Sequence, residues 1–330
     1  MTEFVPPSSR PVLDHATLAF VSRHTCPPAA PDRDPRQARL DFARLQGSDE
    51  PDPREEEAVS TEWLALPGGP TGHVRVRVVR PADSVGEIPV VLYLHGLGWV
   101  LGDADTHARL ARAFALGADA AVVFVEYARA PEARYPVAVE QCYAVAKWVC
   151  ERGGDIGLDG SRMAAVGDST GGNLVAALTL LAKERGGVRL LQQVLLCPVT
   201  DAGCDTPSYR EFATGSFLGG ATMRWFWDQY LPDVRQRSQV TASPLRASLE
   251  QLAGLPPALV VTGDADVARD EGEAYAARLR AAGVPVVALR YHGTVHGFMV
   301  LDPLRDTDSA RAALVQALDT VHVALHRRRG

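Results

Sequence analysis

The chain has 330 residues, 46% of them hydrophobic, and a formal net charge of −6. Its size and apolar content allow one large α/β domain with a substantial core, or two smaller ones, and its negative balance lacks the basic footprint of a nucleic-acid binder. The longest apolar run, residues 88–101, is interrupted by His95, Gly96 and Gly98 and is too short to span a bilayer, so stable membrane insertion is not expected.

In chain order, residues 1–60 are rich in Pro, Asp and Arg, with amphipathic pieces at 14–24 and 36–46 that read as a few loosely joined helices. The opening, Met1 to Pro7, has no basic stretch followed by an apolar one, so no signal peptide is expected and a cytoplasmic protein follows. From Glu62 the pattern changes. Residues 74–78 alternate Val-Arg-Val-Arg-Val, which predicts a strand with one wet face. Continuous apolar runs at 89–94, 120–125, 163–166, 191–196, 258–261 and 286–289 predict buried strands. Helical patterns fall between them at 104–116, 137–152, 173–184, 272–282 and 308–326. Buried strands alternating with helices give an α/β fold with a mostly parallel central sheet and helices on both faces.

Residues 205–250 break the rhythm. They hold no strong strand and an aromatic cluster of Phe212, Phe217, Trp225, Phe226, Trp227 and Tyr230, and read as an inserted helical segment. The chain therefore divides into N-terminal helices (1–60), a first part of the core (61–204), the insertion (205–250) and a second part of the core (251–330). It ends on a short basic tail, His326-Arg327-Arg328-Arg329, which reads as solvated. Five cysteines, at 26, 142, 150, 197 and 204, lack zinc-type spacing and read as small buried residues rather than disulfides or metal ligands.

The most informative segment is Gly167-Asp168-Ser169-Thr170-Gly171-Gly172, which reads G-x-S-x-G. The bare pattern also fits a glycine-rich turn with a capping serine. Here an apolar strand, Met163 to Val166, precedes it, and a helix with Leu174, Leu178 and Leu181 follows it. A serine at such a strand-to-helix turn sits in a strained conformation with its hydroxyl exposed, and the close turn requires the flanking glycines. A serine hydroxyl is a poor nucleophile alone. It needs a base, a group that orients the base, and donors for the oxyanion. In an open α/β sheet these come from loops after the carboxyl ends of strands. After the 89–94 strand comes His95-Gly96-Leu97-Gly98-Trp99, a glycine-rich turn whose amides can meet a carbonyl oxygen alongside the amide of Thr170. His95 reads as a brace for that loop. After the 258–261 strand, Asp264 and Asp266 are both available, while Asp270 and Glu271 suit the start of the next helix. After the 286–289 strand, the candidates for the base are His292 and His296. The order Ser…Asp…His and the adjacent Gly297-Phe298 favour His296.

With these segments together, the chain resembles the hormone-sensitive-lipase-like group of α/β-hydrolases, a family of serine esterases, over about residues 75–320. The resemblance rests on His95-Gly96-Leu97-Gly98-Trp99, Gly167 to Asn173, Asp266 with Arg269-Asp270-Glu271-Gly272, and His296-Gly297-Phe298. Glu126-Tyr127-Ala128-Arg129-Ala130-Pro131-Glu132 with Tyr135-Pro136 adds to it. It implies the α/β-hydrolase fold with a helical cap made by residues 1–60 and 205–250. It implies Ser169 as nucleophile, His296 as base and Asp266 as orienting acid, with oxyanion donors at Leu97, Gly98 and Thr170. The chain departs from the family where Leu97 replaces the middle glycine of His-Gly-Gly-Gly, because a Cβ there disfavours positive φ. A second departure, Tyr127-Ala128-Arg129 for the usual Tyr-Arg-Leu, reads as a packing change.

The expected activity is hydrolysis of small-to-medium apolar esters through an acyl-enzyme, with no cofactor or metal. The partner is a small-molecule ester, with no nucleic acid, and a homodimer is a further expectation. Trp99, Phe212, Phe217 and Trp225 are the expected substrate-binding residues. Two rival readings are amide hydrolysis of an N-acyl metabolite by the same triad, and a non-catalytic module whose cap grips a small ligand, a role that predicts loss of triad members although this chain retains all three.

Overall fold

The computed structural model describes residues 11–26, 34–47 and 57–327. The Met1–Pro7 opening, the rest of the expected N-terminal segment at 27–33 and 48–56, and Arg328 and Arg329 of the basic tail lie outside the described residues.

The chain begins with helices α1 (His15–Val21) and α2 (Pro35–Gln46), then strands β1 (Val59–Pro67), β2 (His73–Pro81) and β3 (Ile88–Leu94). Helix α3 (Ala108–Ala118) leads to β4 (Ala121–Glu126), α4 (Val137–Arg152) to β5 (Leu158–Asp168), and α5 (Thr170–Arg185) to β6 (Gln192–Leu196). Three short helices follow, α6 (Pro207–Glu211), α7 (Gly220–Tyr230) and α8 (Leu249–Leu252). The chain closes with β7 (Ala258–Ala265), α9 (Arg269–Ala281), β8 (Val286–Val295) and α10 (Asp308–His326). The strands form one sheet in the order β1-β2-β4-β3-β5-β6-β7-β8. Only the pairings of β2, with β1 and β4, are antiparallel.

The runs of Val, Leu and Phe in β3 and β4 follow from cover on both sides: Val90 to Leu94 and Ala121 to Val125 are fully buried. Helices α3 and α10 pack together against one face, and α4 and α5 against the other. Because β3, β5, β7 and β8 run parallel, their carboxyl ends open at one edge of the sheet, and the chain leaves them there as His95, Ser169, Asp266 and His296. Helices α1 and α2 close over this edge. The amide of Asp14, which caps α1, donates to Gly293 O at 3.0 Å. The Gln46 side chain at the end of α2 donates to Thr106 O and Val300 O, both at 3.0 Å.

Three elements differ from the sequence reading. Strand β1 was not foreseen: it is an edge strand whose residues 60–63 are exposed, so it lacks the apolar signature of the inner strands. Helix α3 starts at Ala108 rather than 104, because Asp103 and Thr106 exchange hydrogen bonds in a turn that holds the chain outside the helix. Strand β8 is half-exposed rather than buried, since it is the other edge, with Val287 54% exposed.

Candidate active site

Ser169 sits at the turn from β5 into α5 with φ 52° and ψ −118°, a conformation that costs an L residue on the order of 1–3 kcal/mol. The neighbours make this possible. A Cβ on Gly167 would overlap the Gly171 carbonyl, and one on Gly171 would overlap the Leu94 carbonyl, so the strand, the turn and β3 approach as only glycine allows. The Ser169 amide donates to Leu196 O at 2.7 Å, which anchors the turn to β6.

The serine is one end of a hydrogen-bonded chain. His296 Nε2 lies 2.8 Å from Ser169 Oγ, and His296 Nδ1 lies 2.8 Å from Asp266 Oδ1. The arrangement assigns the tautomer: Nδ1–H donates to the carboxylate, so Nε2 accepts from the serine hydroxyl. Asp266 is fully buried, and its Oδ1 also accepts the Ala268 amide at 2.8 Å, which fixes the carboxylate under the imidazole. The competing pair is elsewhere. Asp264 Oδ2 stands 3.1 Å from His292 Nδ1, and the His292 side chain is 79% exposed. The register of β7 on β8 breaks between Gly263 and Ala265, so the two carboxylates, two residues apart, serve different partners. The sulfur of Cys197 lies within 4.8 Å of ligand atoms of Asp266 and His296. Burial pushes its thiol well above the usual range, so at neutral pH it is an uncharged neighbour of the triad and not a rival nucleophile.

The 95–99 loop runs through three consecutive positive φ values, 69° at Leu97, 71° at Gly98 and 59° at Trp99. The loop therefore does take the conformation that a leucine disfavours, and Leu97 accepts the strain. Side chains on both sides of the serine pin it. Asp168 Oδ1 accepts the Gly96 amide at 3.2 Å, and Thr170 Oγ1 accepts the Trp99 amide at 3.1 Å. Tyr127 OH holds the His95 carbonyl at 2.9 Å, and the His95 ring stacks on Tyr127 with centroids 4.1 Å apart. Burial and the nearby charge of His107 drive His95 well below the usual histidine range, so it is a neutral brace. The amides of Leu97 and Gly98 donate to no protein acceptor among the described residues, and the amide of Thr170 opens the helix, beyond the intrahelical ladder.

Over this arrangement lies a small cavity lined by Ser169, His296, Leu97 and Gly98, with apolar walls from Phe217, Met223, Phe226 and Val300. Cys26, at the end of the N-terminal segment, also lines it. Its amide donates to Phe217 O at 2.8 Å, joining that segment to the insertion over the serine.

A family model described as alpha/beta hydrolase fold matches residues 91–300. This chain belongs to the α/β-hydrolase family. It is 40% identical to carboxylesterase NlhH of Mycobacterium tuberculosis over 228 residues, 68% of this chain and 71% of that protein. It is 34% identical to the ethyl acetate hydrolase of Pseudomonas putida over 291 residues, 86% of this chain and 88% of that one. Among solved structures, a thermostable esterase from Pseudomonas putida ECU1011 superposes with a TM-score of 0.92 at 43% identity, over 97% of this chain and 100% of that chain. The hormone-sensitive-lipase-like resemblance read from the motifs agrees with these relatives.

In the hydrolase, Ser169, Asp266, His296, Leu97, Gly98 and Thr170 thus meet at one edge of the sheet. Of the four expected substrate-binding aromatics, Phe217 lines the cavity and three do not. Trp99 is fully buried, its ring stacked on Tyr230 at 4.1 Å. Phe212 packs beneath the Arg269 guanidinium, 5.1 Å from its ring centroid. Trp225 is buried outside the cavity lining, in an edge contact with Phe226, the ring centroids 5.4 Å apart. The apolar side chains of the wall missed by sequence reading include Leu218, Met223, Val300 and Leu301. Met223 and Phe226 are three apart on α7, so helical spacing could have paired them. The expectation of buried cysteines holds for four residues, while Cys150 is half-buried, and no two of the five are joined in a disulfide.

Proposed function

We propose that this hydrolase is a serine carboxylesterase acting on small-to-medium apolar esters. The observation that carries this is the unbroken hydrogen-bonded chain from Ser169 through His296 to Asp266, beneath a loop with unengaged amides and an apolar cavity. Ser169 Oγ attacks the ester carbonyl while His296 Nε2 takes its proton. The oxyanion rests on the amides of Leu97, Gly98 and Thr170, and the imidazolium is steadied by Asp266. His296 then protonates the leaving alcohol, and an acyl group remains on Ser169. Water attacks the acyl-enzyme, again through His296, and releases the carboxylic acid.

The walls formed by Phe217, Met223 and Phe226 favour uncharged substrates, and the name of the Pseudomonas putida relative, an ethyl acetate hydrolase, supports a small acyl group. No helix of the described residues is long and apolar enough to cross a membrane. A cytoplasmic location is part of this reading, and it is supported by five cysteines without a disulfide between them, which suits a reducing compartment. The test is Ser169→Ala, assayed on p-nitrophenyl acetate and labelled with a fluorophosphonate probe. Both turnover and labelling should vanish while the melting curve stays intact. Retained turnover overturns the mechanism.

A further inference from the structure

The residue before the nucleophile is itself a buried acid. Asp168 Oδ1 accepts the Tyr93 hydroxyl at 3.1 Å and the Gly96 amide at 3.2 Å, and His107 Nε2 stands 3.4 Å away. The side chains of Asp168 and His107 are 3% and 0% exposed. A carboxylate so enclosed is strongly disfavoured unless a cation offsets it. Among the described residues His107 is its ion-pair partner, and no lysine or arginine pairs with it.

His107 also has a second acceptor. Its Nδ1 lies 3.1 Å from the Asp103 carbonyl. That nitrogen also lies 3.1 Å from Thr106 Oγ1, while Nε2 makes no hydrogen bond and faces the Asp168 carboxylate at 3.4 Å, an electrostatic approach that favours a second proton on the ring. The contact of Gly96 with Asp168 is equally close. A Cβ on Gly96 would overlap Asp168 Oδ2 and the Asp168 carbonyl. The carboxylate thus joins the nucleophile turn directly to the start of the oxyanion loop.

We propose that His107 is a positioning residue for ester hydrolysis: its imidazolium, held between the Asp103 carbonyl and the Asp168 carboxylate, fixes the Asp168 side chain in place, and Asp168 clamps Gly96 against the nucleophile turn. This rests on the esterase reading. The groups around His107 fit the charge. Burial lowers its pKa, but the Asp168 carboxylate and then Asp103 outweigh burial, and the net shift is upward. His95, with its ring 5.6 Å away, is held neutral. From β3, Tyr93 is held neutral by burial. Asp103 is shared with Arg129 at 3.4 Å, Arg109 is engaged by Asp302 at 2.6 Å, and Glu126 accepts the Ala104 amide. When pH rises past the raised value of His107, the proton leaves and Asp168 loses its counter-charge. The Gly96 clamp loosens and the Leu97 and Gly98 amides lose their placement.

Two measurements test this. The first is the pH profile of kcat and KM for wild type, His107→Gln and the His107→Gln, Asp168→Asn pair on p-nitrophenyl acetate. A shift of donors without their loss costs about 10- to 100-fold in kcat. His107→Gln should show that loss with KM within about twofold, and its alkaline limb should disappear. The double variant should recover part of the loss, because a neutral amide needs no cation. Wild-type kcat and an unchanged alkaline limb in His107→Gln overturn the proposal. The second is an NMR titration of the His107 ring in wild type and in Asp168→Asn. His107 should carry two protons at about pH 6 in the wild type and titrate lower in Asp168→Asn. A neutral ring at that pH, or equal titration in both, overturns the proposal even where His107→Gln fails to fold. Absence of ester turnover by the wild type would instead sink the esterase reading, and the titration would still decide the ionisation.

Discussion

Thr170 Oγ1 accepts the backbone N–H of Trp99 at 3.1 Å, so the residue after the nucleophile holds the far end of the oxyanion loop. Trp99 needs that partner: it lies at φ 59°, and its amide is buried. Thr170→Val keeps the shape and the Thr170 amide but removes the acceptor. The expected outcome is a kcat lowered by about tenfold, with KM close to wild type, because the loop amides shift without being lost. Thr170→Ser restores the hydroxyl and should return most of the rate. Steady-state kinetics on one small ester read both variants. A Thr170→Val enzyme as fast as wild type would refute the pinning role.

Gly98 answers two demands at once. Its φ is 71°, and a Cβ would overlap the Phe226 ring of the insertion. Gly98→Ala should therefore destabilise the protein by about 1–3 kcal/mol and lower kcat/KM by at least about tenfold. Phe226→Ala in the same chain should return the steric part of the stability and leave the φ part. A denaturation double-mutant cycle measures the coupling. Strict additivity of the two substitutions would show that the ring does not set the requirement for glycine.

What the sequence made legible was local chemistry in a fixed order. Ser169 announces itself because glycines two residues to either side allow its turn, and His296 follows from chain order and the parallel strands that end beside one another. The choice between Asp264 and Asp266 turns on the register break at the end of β7, and the sequence favours Asp266 only through the family-like run with Arg269-Asp270-Glu271-Gly272. The walls of the cavity are harder still. Trp99, next to the loop amides, turns inward onto Tyr230, while Met223 and Phe226 come in from a segment far along the chain. Composition shows an aromatic cluster but not which ring packs inside it. Strand β1 hid for the opposite reason: as an edge strand with exposed residues 60–63, it carries little apolar signal.

The two candidate acids make opposite predictions. Asp266 is fully buried and bonded to His296, whereas Asp264 bonds the exposed His292. Asp266→Asn would leave the imidazole in the wrong tautomer and should cut kcat by about 10⁴-fold. Asp264→Asn should change kcat by no more than about threefold, since solvent already serves His292. Parallel assays of the two variants at one pH separate them. Comparable losses in both would mean that the acid is shared or misassigned.

Acid stability should report the tie between α2 and the edge of the sheet where the site lies. Arg39 grips Glu132 through two nitrogens at 2.7 and 2.9 Å, and donates to Val100 O at 2.8 Å and Ala130 O at 2.9 Å. The hydrogen bonds from Arg39 hold the Glu132 carboxyl at about 2, against an ordinary value of 4.5. A folded-state value below the unfolded one makes the pair stabilising above the unfolded value, and that contribution is lost as pH falls through the window toward the folded value. The wild type should therefore melt higher than Glu132→Gln at neutral pH. The gap should close between about pH 4.5 and 2, as protons reach Glu132. The Glu132 side chain is 53% exposed, so solvent screens the pair and the gap should be small and shrink further in high salt. Melting temperatures of both proteins across that range provide the check. Curves that stay parallel down to the acid end would show that the Arg39–Glu132 pair carries no pH-linked stability.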